Sequence, residues 1–395
     1  MTIKTAVIVD AIRTPTGRGK TGGALTGLHP TDLLGQLFKT LVARNQLDSA
    51  TVDDVIIGCV SQVGEQSGSP GRLAWLGAGL AEQVPATVVD RRCGSSQQAV
   101  HFAAQGIAAG AYDIVVAGGV ESMSRVPMFS ARIDQDPLGS MVYGRYPDGL
   151  TTQGIAAERI AAKWGISREE LDVFSVESHH RASAAQRSGA FDTEIVPVTS
   201  GNATLLGLDE TIRADTTFER LAALQPSFVD EGVRGRYPQI NWSVTAGNSS
   251  QLADGASALL LMSEQTAQRL GLKPRARFVS FDVIGDDPLM MLTAPITSTR
   301  RALEKAGLRA QDIDHFEVNE AFASVPLAWM REFKVDPRRV NPRGGAIALG
   351  HPLGASGGRL MTTMLHALEQ TGGRYGLQTM CEAGGLANTT IIERL

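Results

Sequence analysis

Cysteine is scarce: this 395-residue chain carries three, Cys59, Cys93 and Cys381. An odd, small number argues against a disulfide framework and fits a reducing cytoplasm. No pair is spaced as CxxC, so a structural zinc site is not expected, and no metal is expected elsewhere. Charge of one sign is equally sparse. A formal net charge of -4 leaves no basic footprint, which argues against nucleic acid as a partner. Long apolar runs are missing too, and none could span a bilayer, so no membrane contact is expected. The opening MTIKTAVIVDAIRTP has a brief apolar run ending at Asp10, which reads as a buried strand rather than a signal peptide.

What is present is an ordinary globular composition, 43% hydrophobic and 20% charged, long enough for two or more lobes. The two ends of the chain are built alike. TAVIVDA, DVIIGCV, ATVVDRRCG, a small-residue helix and DIVVAGG occur near the start. ARFVSFDVI, DIDHFEVNE, VNPRGGAIALGHP, a second helix and YGLQTMCEAGG occur near the end. Short β-branched runs alternating with helical segments predict an α/β fold made of two duplicated halves. The expected division is residues 1–121 for the first half, completed by about 252–273, then an inserted loop domain at 122–251, then a second half at 274–395.

The middle stretch, rich in Gly, Pro, Arg and aromatics, reads as long excursions rather than sheet strands. Inside it, ISREELDVFSVESHHRASAAQRSG predicts one amphipathic helix, capped by Ser167 with Glu170 three residues on. His179 and His180 on this helix point about 100° apart, share no ligand face, and read as solvated surface.

Cys59 lies in the apolar run VIIGCV and reads as a small buried hydrophobe. Cys93 differs, because ATVVDRR before it and GSSQQAVHFAAQGIAAG after it place it at a strand-to-helix turn. A helix N-terminus and a nearby histidine are expected to lower its thiol by roughly two units and make it a nucleophile; the alternative is a packed structural thiol. In GGAIALGHPLGASGG the glycines hold His351 on a rigid loop, as suits a base that activates a thiol. That loop matches neither GxGxxG nor GK[ST], and TPTGRGKT lacks the first P-loop glycine, so no phosphate loop is expected.

Cys93, NEAF at Asn319–Phe322, GHPLGASG around His351 and the C-terminal Cys381 together resemble the signatures of the thiolase family, in order along essentially the whole chain. The resemblance implies a five-layered α-β-α-β-α fold of repeated domains with a loop domain. It implies an acyltransferase that thiolytically cleaves a 3-ketoacyl-CoA, as in β-oxidation, or condenses in reverse, through a ping-pong acyl-thioester on Cys93. His351 would activate Cys93, and Cys381 would be the acid/base at the substrate C2. Asn319 would hold a water that completes an oxyanion hole with His351, while the backbone N–H groups of Cys93 and Ala383 would form a second. SVTAGNSSQLADGAS resembles the family's pantetheine motif, with Ser250 and Ala246 at the contacting positions. Met291 resembles the methionine of the acyl pocket, with core filling as the bland alternative. Coenzyme A would be a co-substrate with no permanently bound cofactor, and the protein a homo-oligomer, a dimer or a tetramer.

Several positions depart from the family's common forms. CGSG is here CGSS, with Ser96, Gln97 and Gln98; CxGGG is Cys381-Glu382-Ala383-Gly384-Gly385; and Gln153 stands where short-chain members carry methionine. The segment VDEGVRGRYPQINW is longer than usual, so no adenine-binding residue is assigned. These changes point to a bulky or polar 3-ketoacyl-CoA, with an acetoacetyl-CoA-forming acetyltransferase as the alternative. A non-catalytic CoA- or lipid-binding relative is the reading from another class.

Overall fold

Runs of aliphatic and β-branched residues form strands whose two faces are both covered. The structure, a computed structural model, describes residues 4–395. In chain order it contains β1 (Ala6–Arg13), α1 (Pro30–Arg44), β2 (Asp54–Gly58), α2 (Pro70–Gly77), β3 (Ala86–Val89), α3 (Ser95–Ala108) and β4 (Ile114–Ser122). The middle stretch holds α4 (Gln153–Lys163) and α5 (Arg168–Arg187). There follow β5 (Ala253–Ser263), β6 (Ala276–Gly285), α6 (Ala294–Ala306), β7 (His315–Val318) and α7 (Ser324–Phe333). The chain closes with α8 (Ser356–Thr371), β8 (Tyr375–Glu382) and β9 (Leu386–Arg394).

Strand order is β7-β8-β9-β6-β1-β5-β4-β2-β3. In the first half β2 runs parallel to both β3 and β4, and β5 lies antiparallel between β4 and β1. The second half repeats this plan: β7 is parallel to β8, and β9 lies antiparallel between β8 and β6. Even the outermost strand has an echo, since Val340 bridges Phe316 in parallel where β3 flanks β2. The halves join edge to edge where Val7 and Ile8 of β1 pair with Arg277 and Ala276 of β6.

Five layers follow from which face each helix covers. Leu33, Leu37 and Phe38 of α1 pack on Val7, Val116 and Leu260. On the other face of that half, α3 and α8 form the central layer, with Val100, Ile107, Met361 and Leu365 against Ile56, Val115 and Leu259. Helices α6 and α7 cover the second half through Leu303 and Trp329 on Phe316 and Leu377. Each large aliphatic side chain buried this way contributes about 1.5–3 kcal/mol. Burial on both faces is why every residue of β1, β4 and β5 is buried and why these strands carry runs such as AVIV, IVVAGGV and ALLLM. The central helices approach so closely that a Cβ on Gly357 would stand 2.7 Å from Gln97 Cβ.

Ser167 caps α5 as expected, in a complete capping box with Glu170. A two-stranded hairpin, Val198–Ser200 with Ala203–Leu206, stands apart from the long sheet in the middle stretch. His180 is exposed, but His179 is buried, contrary to its reading as surface. Its Nδ1 accepts the Arg213 backbone N–H at 3.1 Å, because the loop before residue 217 folds over that face of α5. Cys59 is fully buried, as its apolar run implied.

Candidate active site

The Cys93 turn is built by short local bonds. After β3, Asp90 Oδ1 accepts the Arg92 N–H at 2.8 Å. Ser95 Oγ accepts the Arg91 N–H at 2.9 Å and donates to the Arg92 carbonyl at 2.6 Å. These staples hold Arg92 at φ +50°, a left-handed conformation that costs a non-glycine residue roughly 1–2 kcal/mol. Half-buried Cys93 follows at once, one residue before Gly94, the N-cap of α3. The thiol is not lowered, however. Burial first, then the Glu382 carboxyl, push Cys93 up to about 12, outweighing the Arg92 charge. Resting Cys93 is therefore a protonated thiol that needs a base, a correction to the sequence reading.

His351 is the base the sequence reading expected. Gly350 at φ +77° makes the preceding bend, and the His351 N–H donates to the Gln251 carbonyl at 2.9 Å. Its Nδ1 lies 2.6 Å from Ser356 Oγ, which donates to the Pro352 carbonyl at 2.8 Å. Nε2 is buried with no partner among the described residues. Burial, then the Arg359 cation, lower the imidazole to about 3, so it stays neutral.

Glu121 holds this loop beside the nucleophile. Its Oε2 accepts N–H bonds from Gly354 and Val60, both at 2.9 Å, and its Oε1 accepts from Ser61 at 3.1 Å and from Gln66 Nε2 at 2.8 Å. The Cys59 N–H in turn reaches the Val89 carbonyl at 3.2 Å, so the ends of β2 and β3 and the His351 loop lie together.

Asn319 follows β7, anchored through its N–H to the Thr379 carbonyl at 3.0 Å. Its side chain is 2% exposed, yet neither amide atom has a partner among the described residues, an arrangement suited to holding a water. Next to it, Glu320 accepts from Ser178 Oγ at 2.7 Å and from Asn341 Nδ2 at 2.9 Å, fixing the NEAF turn. Cys381, on β8 opposite Ala387, packs in one apolar cluster with Met291, Phe322 and Ile347, and Ala383 rests against that cluster. Burial first, then the Cys93 sulfur, push its thiol well above the usual range, which places the two sulfurs within electrostatic reach.

The remaining predicted residues border this cluster. Met291 has φ +48°, held by its N–H bond to the Asp287 carbonyl at 2.9 Å. Ala383 does not carry a positive φ; Gly384 at +93° and Gly385 at +79° make the turn, so alanine keeps an unstrained N–H. Half-buried Ser250 donates its N–H to the Ala321 carbonyl at 3.0 Å, which lays its segment along NEAF, and Ala246 is exposed. Gln153 opens α4, whose Ala156 and Ala157 belong to the Cys381 cluster. Ser96, Gln97 and Gln98 lie instead in the central layer. Ser96 Oγ accepts the Gly358 N–H at 2.9 Å, and Gln97 Nε2 donates to Thr390 Oγ1 at 2.7 Å. Sequence reasoning missed Ser356, Glu121 and Arg92. A charged residue closing the apolar run DIVVAGGVE was the available signal for Glu121.

Among the described residues no cluster of three or more His, Cys, Asp or Glu side chains could hold a metal ion. Neither is any helix there long and apolar enough to cross a membrane.

A neutral base, a thiol in need of one, and a second thiol nearby suit a protein that carries an acyl group on sulfur, on a duplicated α/β scaffold. Comparison with known proteins makes the class specific. "Thiolase, N-terminal domain" matches residues 6–265 and "Thiolase, C-terminal domain" matches residues 272–394. The chain belongs to the thiolase family, and it is an enzyme of that family. It is 50% identical to the steroid 3-ketoacyl-CoA thiolase FadA6 of Mycobacterium tuberculosis, over 99% of this chain and 94% of the relative. It is 45% identical to the 3-ketoacyl-CoA thiolase of Salmonella typhimurium, over 98% and 99%. The crystal structure of the Bacillus anthracis acetyl-CoA acetyltransferase superposes with a TM-score of 0.88 at 36% identity, over 100% of both chains.

Proposed function

We propose that this protein cleaves a 3-ketoacyl-CoA with free coenzyme A, in the degradative direction, through an acyl-thioester on Cys93. The observation that carries the reading is the buried Nε2 of His351, which has no partner among the described residues, on the loop that Glu121 ties to the strand ends next to the Cys93 turn. His351 Nε2 takes the Cys93 proton and the thiolate attacks the 3-keto carbon. The C2–C3 bond then breaks, leaving the acyl group on Cys93 and an enolate of acetyl-CoA. Cys381 gives its proton to C2 and releases acetyl-CoA. Coenzyme A, its thiol deprotonated by Cys381, then takes the acyl group from Cys93, and Cys93 recovers its proton. A buried Cys381 pushed well upward suits this role, since it holds its proton until the far more basic enolate forms.

Oxyanions need fixed donors. Asn319, through a water, and His351 serve the thioester oxygen; the N–H groups of Cys93 and Ala383 serve the second oxyanion. Ser250 and Ala246 contact the pantetheine arm, and Met291 lines the acyl pocket. In this reading 1–121 with about 252–273, 122–251 and 274–395 act as two catalytic halves and an inserted loop domain.

A bulky or polar acyl group is favoured, consistent with Gln153 at the mouth of α4 and with the similarity to FadA6. The fold similarity to an acetyl-CoA acetyltransferase supports the second reading, acetoacetyl-CoA formation. The protein acts in the cytoplasm, in keeping with its three free cysteines. It acts as a dimer or tetramer, supported by the half-buried edge strand β3 and the exposed Leu73, Leu76 and Phe102 on the helices beside it. Thiolysis measured with acetoacetyl-, medium-chain and ring-bearing 3-ketoacyl-CoA tests the substrate reading. The highest kcat/KM on acetoacetyl-CoA would sink it in favour of the second.

A further inference from the structure

Glu382 closes β8 directly after Cys381 and is fully buried. Other buried carboxylates here are well served: Glu121 accepts from four donors, and Glu158 accepts from the Ser243 and Val244 backbones at 2.9 and 2.7 Å. Neither oxygen of Glu382 has a hydrogen-bond partner among the described residues. The carboxyl packs on the backbone just after the nucleophile. Its Cδ lies 2.7 Å from where a Cβ on residue 94 would sit, with Oε1 closer still, so glycine there is what admits it.

Two charged groups act on Glu382, and Glu121 acts on the neighbouring Cys93 thiol. Arg91 and Asp90 lie on the β3–α3 turn, the Cys93 and Cys381 thiols lie within electrostatic reach, and β9 presents Leu386 opposite. An ionised carboxylate with no donor in such a site costs several kcal/mol, so at neutral pH Glu382 keeps its proton. Burial first raises it well above the usual carboxylate range, against the pull of Arg91. Two acids in one desolvated site also resist carrying two negative charges together, and they titrate as a pair.

We propose that Glu382 is a positioning residue for the nucleophile: its carboxyl and the Cys93 thiol share one site that tolerates a single negative charge, so Cys93 becomes a thiolate only while Glu382 holds its proton. The proposal rests on Cys93 being the nucleophile of the thiolase reading. As pH rises the carboxyl gives up its proton first and the thiolate population stops growing. A second rise follows only when the pair is forced to carry both charges. Glu382 thereby caps the thiolate population at alkaline pH and leaves proton transfer to His351 unaffected at neutral pH, where its carboxyl is neutral.

The test is the pH dependence of iodoacetamide alkylation at Cys93 in the full-length enzyme, read by mass spectrometry of the Cys93 peptide. The wild type is expected to rise in two steps with a plateau between. Glu382→Gln, similar in shape but unable to ionise, is expected to rise in one step and to exceed the wild-type plateau about tenfold, one pH unit of thiolate. Glu382→Asp is expected to restore two steps. A single-step wild-type profile overturns the proposal even if Glu382→Gln does not fold, and superimposable wild-type and Glu382→Gln profiles overturn it as well. Trapping the acyl group from a 3-ketoacyl-CoA on the same peptide reads the thiolase mechanism separately. No acyl-Cys93, with two-step alkylation intact, defeats that mechanism and leaves the shared titration standing.

Discussion

Ser356 fixes the tautomer of His351. The hydroxyl has one hydrogen, and it goes to the Pro352 carbonyl, 2.8 Å away, which can only accept. Ser356 Oγ must then accept from His351 Nδ1–H at 2.6 Å, so Nε2 carries the lone pair that takes a proton.

Ser356→Ala removes that constraint. Turnover is expected to fall about 10²-fold, the lower end of what a positioned acid or base contributes. KM should change little, because Ser356 touches no part of the proposed acyl-CoA path. Steady-state kinetics with a 3-ketoacyl-CoA, with nitrogen NMR of the imidazole for the tautomer, checks it; wild-type kcat with an altered tautomer would falsify the role given to Ser356.

Acid should destabilise the protein early. His351 and His101 are lowered to about 3 and His179 to about 4, in each case by burial first. All three are neutral when folded but take protons when unfolded as pH drops below the ordinary 6.5. Their stabilisation is therefore complete above pH 6.5 and is lost progressively as pH falls toward 4 and 3. Urea midpoints at pH 7.5, 6 and 5 should decline in that order; a midpoint that stays flat contradicts the burial of these rings.

The same shift acts on the pH profile of catalysis. With His351 lowered to about 3, the acidic limb of kcat/KM should show no histidine titration near 6.5. A limb centred at 6.5 would mean that the imidazole is solvated in the working enzyme.

The two kinds of cysteine should separate cleanly. Cys93→Ala is expected to lower thiolysis by at least about 10³-fold, as for loss of a covalent nucleophile. Cys59→Ala, a small change in a packed strand end, should cost about 1 kcal/mol of stability and leave turnover near wild type. Equal activity loss in both variants argues against a covalent role for Cys93.

Packing between the central helices offers a stability test. Gly357→Ala would place a Cβ 2.7 Å from Gln97 Cβ, and nearer still to its backbone nitrogen. Overpacking of this kind costs about 1–3 kcal/mol. Thermal melting should show the loss, and an unchanged melting temperature would mean that α3 and α8 are less closely set.

Much of this protein was written in local signals. The duplicated order of strands, the Ser167 capping box and the glycine-flanked turns at Cys93 and His351 depend on backbone preferences within a few residues, so periodicity and punctuation reveal them. The charge states were not legible there. The helix start and a nearby histidine argued for a reactive thiolate, yet burial among segments from the far end of the chain holds Cys93 as a thiol. His179 was misplaced for the same reason, since a loop from another segment covers it. The four donors that Glu121 gathers are likewise invisible along the chain. Sequence alone determined which residues are proposed to carry the chemistry, because side-chain identity and local backbone conformation are properties of the chain itself. Tertiary structure decided their protonation, because desolvation and charge depend on what packs against them.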